Sequence, residues 1–332
     1  CKMKIIVTGG AGYIGSHTIV ELLAAGFHPI IVDNLCNSDI RNIQGIKEIT
    51  GVDVNWYNVD CSIEKELVKV FEKEEGIIGA IHFAAYKSVE ESVREPEKYY
   101  KNNIGSLEVL LRQMKKHKVN NLIFSSSCTV YGTPDILPVT ESSPFKKAES
   151  PYGETKQMCE NILQKSDIKS ISLRYFNPIG SHFSGLIGDC SADKPCNLIP
   201  IICEVAKGVR EKLIVNGDDY NTIDGSCVRD YIHVVDLAKS HVSALNYLLK
   251  NPTKDVFNIG TGKGLSVLEA VHFFEKVNKE KINYSIGPRR EGDVEKIYSD
   301  NNKVEELLDW RAEQSVFQAM KDAWNWELKK AK

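Results

Sequence analysis

Ile5-Ile6-Val7-Thr8-Gly9-Gly10-Ala11-Gly12-Tyr13-Ile14-Gly15 is a short apolar run that breaks into glycines and then opens a helical pattern, Ser16–Ala25, stopped by Gly26. Gly10-x-Gly12-x-x-Gly15 and Gly9-x-x-Gly12-x-x-Gly15 both satisfy dinucleotide-loop spacing. Glycine is required where a chain turns sharply and where its backbone must approach a pyrophosphate. The helix start behind the loop offers free N–H groups and a positive dipole end to phosphate. A lone glycine motif is weak; a strand before it and a helix after it give it weight. Asp33, ending the second apolar run, stands about 20 residues past the glycines. A carboxylate there accepts from both ribose hydroxyls and repels a 2′-phosphate, which favours NAD over NADP; the alternative is that Asp33 caps a loop. Asp60, ending the third run, either meets the adenine amino group or is an ordinary turn carboxylate.

Outward from this loop the first half alternates strand-like and helical segments. Strands are expected at Ile5–Val7, Ile30–Val32, Val54–Val59, Ala80–Phe83, Leu122–Ser125 and Ser170–Tyr175. Helices are expected at Ile63–Glu72, from Pro96 to about Lys116, and after Pro151. That alternation predicts an α/β fold, a parallel sheet covered on both faces. After Asn177 the texture becomes Gly-, Pro- and polar-rich, so a second, smaller lobe is expected from Pro178. Arg229–Val234, the helix Asp236–Leu249 and Val256–Ile259 read as one more unit returning to the main sheet. The expected division is 1–177 with about 230–261 for the dinucleotide, and 178–229 with 262–332 for the substrate.

Bulk properties exclude several classes. The chain has 332 residues and a formal charge of -3, with a pI near 6.3, which offers no basic face for nucleic acid. No apolar run is long enough to span a bilayer. Cys1-Lys2-Met3-Lys4 leads straight into a strand, which predicts no signal peptide and a start at Met3; Lys329, Lys330 and Lys332 form a solvated basic tail. Nine scattered cysteines without Cys-x-x-Cys fit reduced thiols in a cytoplasmic protein. Cys190 and Cys196 lack partners at zinc spacing, so no metal is expected.

The chemistry is carried by Ser150-Pro151-Tyr152-Gly153-Glu154-Thr155-Lys156. On a helix, Tyr152 and Lys156 share one face. A nearby ammonium favours the phenolate, so the pair can act as an acid/base near neutral pH. Alone, Tyr-x-x-x-Lys is equally an amphipathic surface pair. Its weight comes from the loop upstream and from Ser125-Ser126-Ser127-Cys128-Thr129, which leaves the fifth strand at the sheet edge where ligands bind.

Thr8–His17, Asp33–Ser38, His82–Ala85, Ser125–Gly132, Ser150–Lys156, Arg174–Pro178, Val228–Val234 and Pro288–Asp293 together resemble the extended short-chain dehydrogenase/reductase family, from Lys4 to about Trp326. The resemblance implies a Rossmann-type doubly wound parallel sheet with a smaller C-terminal substrate lobe. It implies the branch that interconverts UDP-glucose and UDP-galactose by transient oxidation at sugar C4, with NAD tightly held. Tyr152, Lys156 and Ser127 match the catalytic residues. NAD contacts are implied for Gly9, Gly12, Tyr13, Ile14 and Gly15, for Asp33, Asn34, Asn37 and Ser38, and for Asp60 and Cys61. They are implied also for Phe83, Ala84, Ala85, Lys87, Asn102, Ser125, Tyr152, Lys156 and Tyr175. Sugar-nucleotide contacts are implied for Lys87, Ser127, Thr129, Tyr152, Phe176, Asn177, Asn197 and Leu198, and for Asn216, Arg229, Arg290, Asp293 and Ile297. Arg229 and Arg290 match diphosphate-binding arginines, although Arg289-Arg290-Glu291 also reads as a surface charge run.

Two positions depart from the pattern: Asn216 stands where an aromatic meets uracil, and Ile297, of intermediate size, stands at the gate for N-acetylated sugars. The resemblance also implies a homodimer through Pro96–Lys116 and Pro151–Gln164. The rivals are a 4,6-dehydratase or decarboxylase of the same fold, disfavoured by Cys128 and Thr129 in place of carboxylic acids, and a non-catalytic NAD-binding scaffold.

Overall fold

The computed structural model describes residues 3–191, 195–290 and 292–330. Cys1 and Lys2, Glu291 of the arginine run and Lys332 of the basic tail lie outside the described residues. Strands in the first half are β1 (Lys4–Thr8), β2 (His28–Val32), β3 (Trp56–Tyr57), β4 (Ile77–His82), β5 (Asn121–Ser127) and β6 (Lys169–Tyr175). The later ones are β7 (Asn177–Ile179), β8 (Leu213–Asn216), β9 (Val228–His233), β10 (Lys254–Ile259), β11 (Gly264–Ser266), β12 (Tyr284–Gly287) and β13 (Lys296–Ile297). The helices are α1 (Tyr13–Ala24), α2 (Ile40–Thr50), α3 (Glu64–Lys73), α4 (Val89–Arg94), α5 (Pro96–Tyr99) and α6 (Gly105–Lys116). They continue with α7 (Pro151–Lys165), α8 (Leu198–Ala206), α9 (Val234–Lys250), α10 (Val267–Asn278), α11 (Asn302–Leu308) and α12 (Val316–Lys330).

A seven-stranded sheet runs β10-β6-β5-β4-β1-β2-β3, with every pairing parallel. Alternation along each strand sends side chains to two cores. Ile5, Val7, Ile31, Ile81 and Ile123 pack on one face with Ile19 and Leu22 of α1 and with Leu237, Leu245 and Leu248 of α9. Ile6, Ile30, Val32, Leu122 and Phe124 pack on the other with Leu67 and Val70 of α3, Leu110 of α6 and Leu163 of α7. Strand order reverses between β1 and β4, and in such sheets ligands bind at the strand C-termini beside that reversal. A third core, with Val215, Phe274 and Met320, sits under the second lobe. Among the described residues no helix is long and apolar enough to cross a membrane.

One expectation is corrected. Arg229–Val234 does not return to the main sheet: β9 pairs with β7, β11 and β13 in a separate sheet, and only β10 returns, beside β6. Asp230 holds it there. Its fully buried carboxylate accepts from Thr261 N (2.8 Å) and Oγ1 (2.6 Å), Gly262 N (3.1 Å), and Ser299 N (3.1 Å) and Oγ (2.7 Å). The segment from Pro96 to Lys116 is helical throughout, as expected, with a π turn at Tyr100–Ile104 between α5 and α6. The turn faces Asn103 inward, where its amide pairs with both Tyr86 N (2.8 Å) and Tyr86 O (3.0 Å). π turns of this kind recur at functional sites.

Candidate active site

The glycine loop is built as its spacing requires. A Cβ on Gly9 would lie 2.8 Å from Ala84 N, and one on Gly15 would lie 2.2 Å from Gly9 O. Gly9 has φ +70, open to glycine at little cost. Gly12 begins α1 without a capping side chain, leaving the first-turn amides of Tyr13, Ile14 and Gly15 facing the crevice. Phe83, Ala84 and Ala85 follow β4 against this loop, with Phe83 N donating to Thr8 O at 3.0 Å.

Asp33 ends β2 and is buried. It accepts from Ala11 N (3.0 Å), Leu35 N (2.9 Å) and Ser38 Oγ (2.7 Å), so it ties the glycine loop to the segment carrying Asn34, Asn37 and Ser38. Asn34 reaches Asp60 at 3.3 Å, and Asp60 is followed by buried Cys61. Lys87 is exposed but leans on Asp189 at 3.5 Å. Burial opposes charge on Asp189, yet Lys87 and the Ser191 bonds outweigh it and hold that carboxyl below its ordinary value. Asn102 lies in the π turn and donates to Asn103 at 3.1 Å. These loops leave backbone-lined space and unpaired helix amides where a dinucleotide's phosphates would lie, so the residues fit NAD.

α7 opens on Ser150, whose Oγ accepts from Gly153 N at 3.2 Å, with Pro151 at its first position. One turn in, Tyr152 and Lys156 face the end of β5. Lys156 Nζ lies 5.8 Å from the Tyr152 ring centroid. Ser127 Oγ accepts from Thr129 N at 3.2 Å, and its hydroxyl neighbours the Tyr152 phenol. Thr129 Oγ1 is buried with no hydrogen-bond partner. Tyr175 ends β6 beside Ser127, in register across the two strands.

The electrostatics differ from expectation. Burial pushes the Tyr152 phenol up to about 12, the neighbouring Ser127 hydroxyl offsetting part of it. Burial brings Lys156 down to about 8. Lys156 Nζ donates to Ser125 O at 2.6 Å, and burial rather than the ammonium dominates the phenol.

A cavity of about 170 Å³ opens in the second lobe. It is lined by Asn177, Asn197, Leu198, Asn216, Arg229, Arg290 and Asp293 of the predicted set, and by Cys196, Cys227 and Tyr231, which the sequence did not single out. Asp293 binds Arg290 at 2.6 Å and Arg229 at 3.5 Å, so two guanidiniums converge on one carboxylate. Phe176 and Ile297 are buried together with Cys128 and Tyr131 in a small apolar cluster beside Ser127. Beneath the serines Arg174 forks onto Glu160 (2.7 and 3.0 Å), and Arg174 also meets the Tyr131 hydroxyl at 2.9 Å. Asn103, Asp230, Glu160, Asp189 and His241 were not singled out. Arg174 and Asp230 lay inside recognised motifs, but nothing in spacing alone separates a buried anchor from a surface charge. Among the described residues no group of His, Cys, Asp or Glu could hold a metal ion.

Fold and site together define a dinucleotide-binding protein with a Tyr-Lys-Ser cluster and a cavity in the second lobe lined by Arg229 and Arg290. Residues 5–260 match the model of the NAD dependent epimerase/dehydratase family. The chain is 47% identical over 330 residues to UDP-glucose 4-epimerase of Dictyostelium discoideum, covering 98% of this chain and 95% of that one. It is 46% identical over 330 residues to that of Bacillus subtilis, covering 98% and 97%. It superposes with TM-score 0.95 on the Bifidobacterium longum UDP-glucose 4-epimerase solved with NAD+ and UDP, at 44% identity and 99% coverage of both chains. The chain belongs to the NAD dependent epimerase/dehydratase family.

Proposed function

We propose that this protein interconverts UDP-glucose and UDP-galactose. The observation that carries the reading is the placement of Tyr152, Lys156 and Ser127 at the end of β5, between the glycine loop and a cavity holding Arg229 and Arg290. Bound NAD supplies the hydride acceptor and donor and, when oxidised, a positive charge that favours the Tyr152 phenolate.

Tyr152 Oη takes the proton of the sugar 4-hydroxyl as C4 is oxidised, and returns it as C4 is reduced from the other face. Ser127, next to Tyr152, steadies that hydroxyl, and Thr129 Oγ1 has the free valence to join it. Arg229 and Arg290 hold the diphosphate by charge-assisted, forked bonds while the keto sugar turns over. Lys156 holds the nicotinamide ribose and keeps the site cationic. Asp33 takes the adenosine ribose, and Lys87 and Asn102 serve the cofactor side. Asn216 meets the uridine end without an aromatic stack, Asp293 meets the uridine ribose, and Ile297 limits the room beside the sugar.

In this reading 1–177 and 234–261 bind NAD, and 178–233 with 262–332 bind the sugar nucleotide; the boundary moves because β9 belongs to the second sheet. A homodimer through the helices at 96–116 and 151–165 fits the exposure of Val93 (61%) and Met158 (40%) on that side, and a cytoplasmic site fits the free thiols. Dehydration is disfavoured because Cys128 and Thr129 supply no carboxylic acid, and burial pushes the Cys128 thiol up to about 12.

The test is to add UDP-galactose to the purified protein without external nicotinamide. UDP-glucose is expected to appear; no conversion, or release of a 4-keto-6-deoxy product, would overturn the reading. Sizing the protein in solution should give a dimer, and a monomer counts against the helix pairing.

A further inference from the structure

Beneath Tyr152, Lys156 and Ser127 lies a buried ion pair that the proposed chemistry does not use. Leu122 and Phe124 of β5 share one core with Cys159 and Leu163 of α7. Alternation along the strand puts Ser126 on that same face, one residue before Ser127. Its Oγ donates to the carboxylate of Glu160, one turn past Lys156 on α7. Arg174 stands opposite Ser126 in the β5–β6 register. Its Nε and Nη2 fork onto Glu160 at 3.0 and 2.7 Å. Ser126, Glu160 and Arg174 are all buried.

Apolar burial holds α7 to the sheet but has no preferred direction, so by itself it lets the helix slide. A forked, charge-assisted bond has one geometry. Lys156 Nζ donates to Ser125 O at 2.6 Å. Lys156 and Glu160 therefore attach a single helical turn to two consecutive residues of β5. Arg174 Nη1 meets the Tyr131 hydroxyl at 2.9 Å. A guanidinium only donates, so the Tyr131 oxygen accepts and its own proton goes to Asn258 Oδ1 of β10, at 2.6 Å. Tyr131 closes the 3-10 turn Cys128–Tyr131, which carries Thr129. One guanidinium on β6 thus ties together α7 and the turn that follows β5.

We infer that Glu160 is a positioning residue: bonded by Ser126 and forked by Arg174, it fixes the register of α7 against β5 and so sets Tyr152 and Lys156 opposite Ser127. Its catalytic meaning rests on the epimerase reading, whereas the register it sets is visible without substrate. A buried ion pair adds little stability over apolar residues of the same volume. Stability alone therefore gives no reason for a carboxylate, a guanidinium and a hydroxyl to meet here. Glu160 lies one turn from Lys156 and about two from Tyr152 on the same helix, and Ser126 adjoins Ser127. A slip of α7 along β5 would carry the phenol and the ammonium together away from the serine. A misplacement of about 1 Å at reacting groups costs on the order of 10²-fold in rate.

The test uses two variants of the NAD-bound protein. Glu160→Asp keeps the charge beside Arg174 but is one methylene too short to hold Ser126 as well. Ser126→Ala removes the donor and leaves the ion pair in place. Both are assayed with UDP-galactose at a temperature where circular dichroism shows them folded. In each, kcat should fall about 10–10²-fold with KM unchanged. Crystal structures of the variants with NAD should show α7 displaced along β5, with Lys156 Nζ drawn away from Ser125 O. Leu248→Ala opens a cavity in the core of α9 and should destabilise the fold while leaving kcat of the folded enzyme as it was. Losses of kcat no larger than in Leu248→Ala, a loss confined to KM, or an unmoved α7 would overturn the inference. Ser126→Ala carries the test alone if Glu160→Asp does not fold. If the wild type leaves UDP-galactose unchanged, it is the epimerase reading that fails, and the position of α7 in the two crystal structures still decides the role of Glu160.

Discussion

Tyr152 is a phenol that the protein alone makes a poorer acid, since burial raises it to about 12. A base so disfavoured in the resting fold becomes effective only when positive charge is bound beside it, which couples its ionisation to the presence of oxidised cofactor. Tyr152→Phe removes the proton acceptor and leaves the ring packing. It should lower kcat by about 10²–10⁴-fold, with NAD content unchanged by absorbance of the released cofactor; an unchanged rate would remove Tyr152 from the chemistry. In the proposed reading Ile297 acts by size rather than charge. It is 4% exposed and packs with Cys128 and Phe176, so the added bulk of a 2-acetamido group meets packed side chains whose displacement costs on the order of 1–3 kcal/mol. UDP-N-acetylglucosamine should therefore turn over far more slowly than UDP-glucose, and equal rates would show that the cluster yields.

At the scale of elements, β9 carries Arg229 into the cavity and is fastened by the next residue, Asp230. Five donors converge on that carboxylate. Asp230→Asn replaces one acceptor oxygen with an NH2 group that faces donors, so bonds are lost and like dipoles meet. The cost should be about 2–4 kcal/mol, read as a lower midpoint in urea. KM for the sugar nucleotide should rise more than kcat falls, because Arg229 shifts while Tyr152 does not. A variant with native stability and native KM would show that β9 is held elsewhere.

Why β9 was misplaced from its sequence follows from the same residue. Val228–His233 has the apolar pattern of a strand, and pattern gives a strand's existence but not its partner. The partner was decided by Asp230 meeting Thr261, Gly262 and Ser299, contacts up to 69 residues apart in the chain. The π turn at Tyr100–Ile104 was hidden for a related reason, since its register is set by Asn103 reaching back to Tyr86. The glycine loop, α1, and the Tyr152–Lys156 pair were legible because their meaning is local: a turn, a helix start, and a spacing of four on one face. The lysine's effect on the phenol was misjudged because spacing places two side chains together without saying how deeply they are buried, and burial dominates both groups.

Over the whole molecule, several histidines are buried neutral in the sheet and its flanks, and this gives the fold an acid limit of its own. Burial lowers His17 and His82 to about 3 and His241 to about 4; the Tyr13 and Leu237 carbonyl bonds resist this at His17 and His241, and Lys156 adds to it at His82. Each would take a proton near pH ~6.5 in the unfolded chain. Between that pH and the lowered values the unfolded state binds more protons than the folded one. The stability these groups confer is complete above about 6.5 and is lost as pH falls, at up to roughly 1.4 kcal/mol per pH unit for each histidine. Glu21, Glu141 and Asp236 are raised by burial and oppose this. Their charge cost is relieved as pH falls, but the larger displacements of the three histidines set the sign. Lowered carboxyls such as Glu91, held by Lys98, and Asp189 contribute only below about pH 4.5, where their unfolded counterparts begin to take protons. The apparent Tm of the NAD-loaded protein, measured at constant ionic strength, should accordingly fall from about pH 7 to about pH 5, before carboxylate protonation begins. A Tm that is flat or rising across that interval would mean that these imidazoles are hydrated and charged in the folded protein.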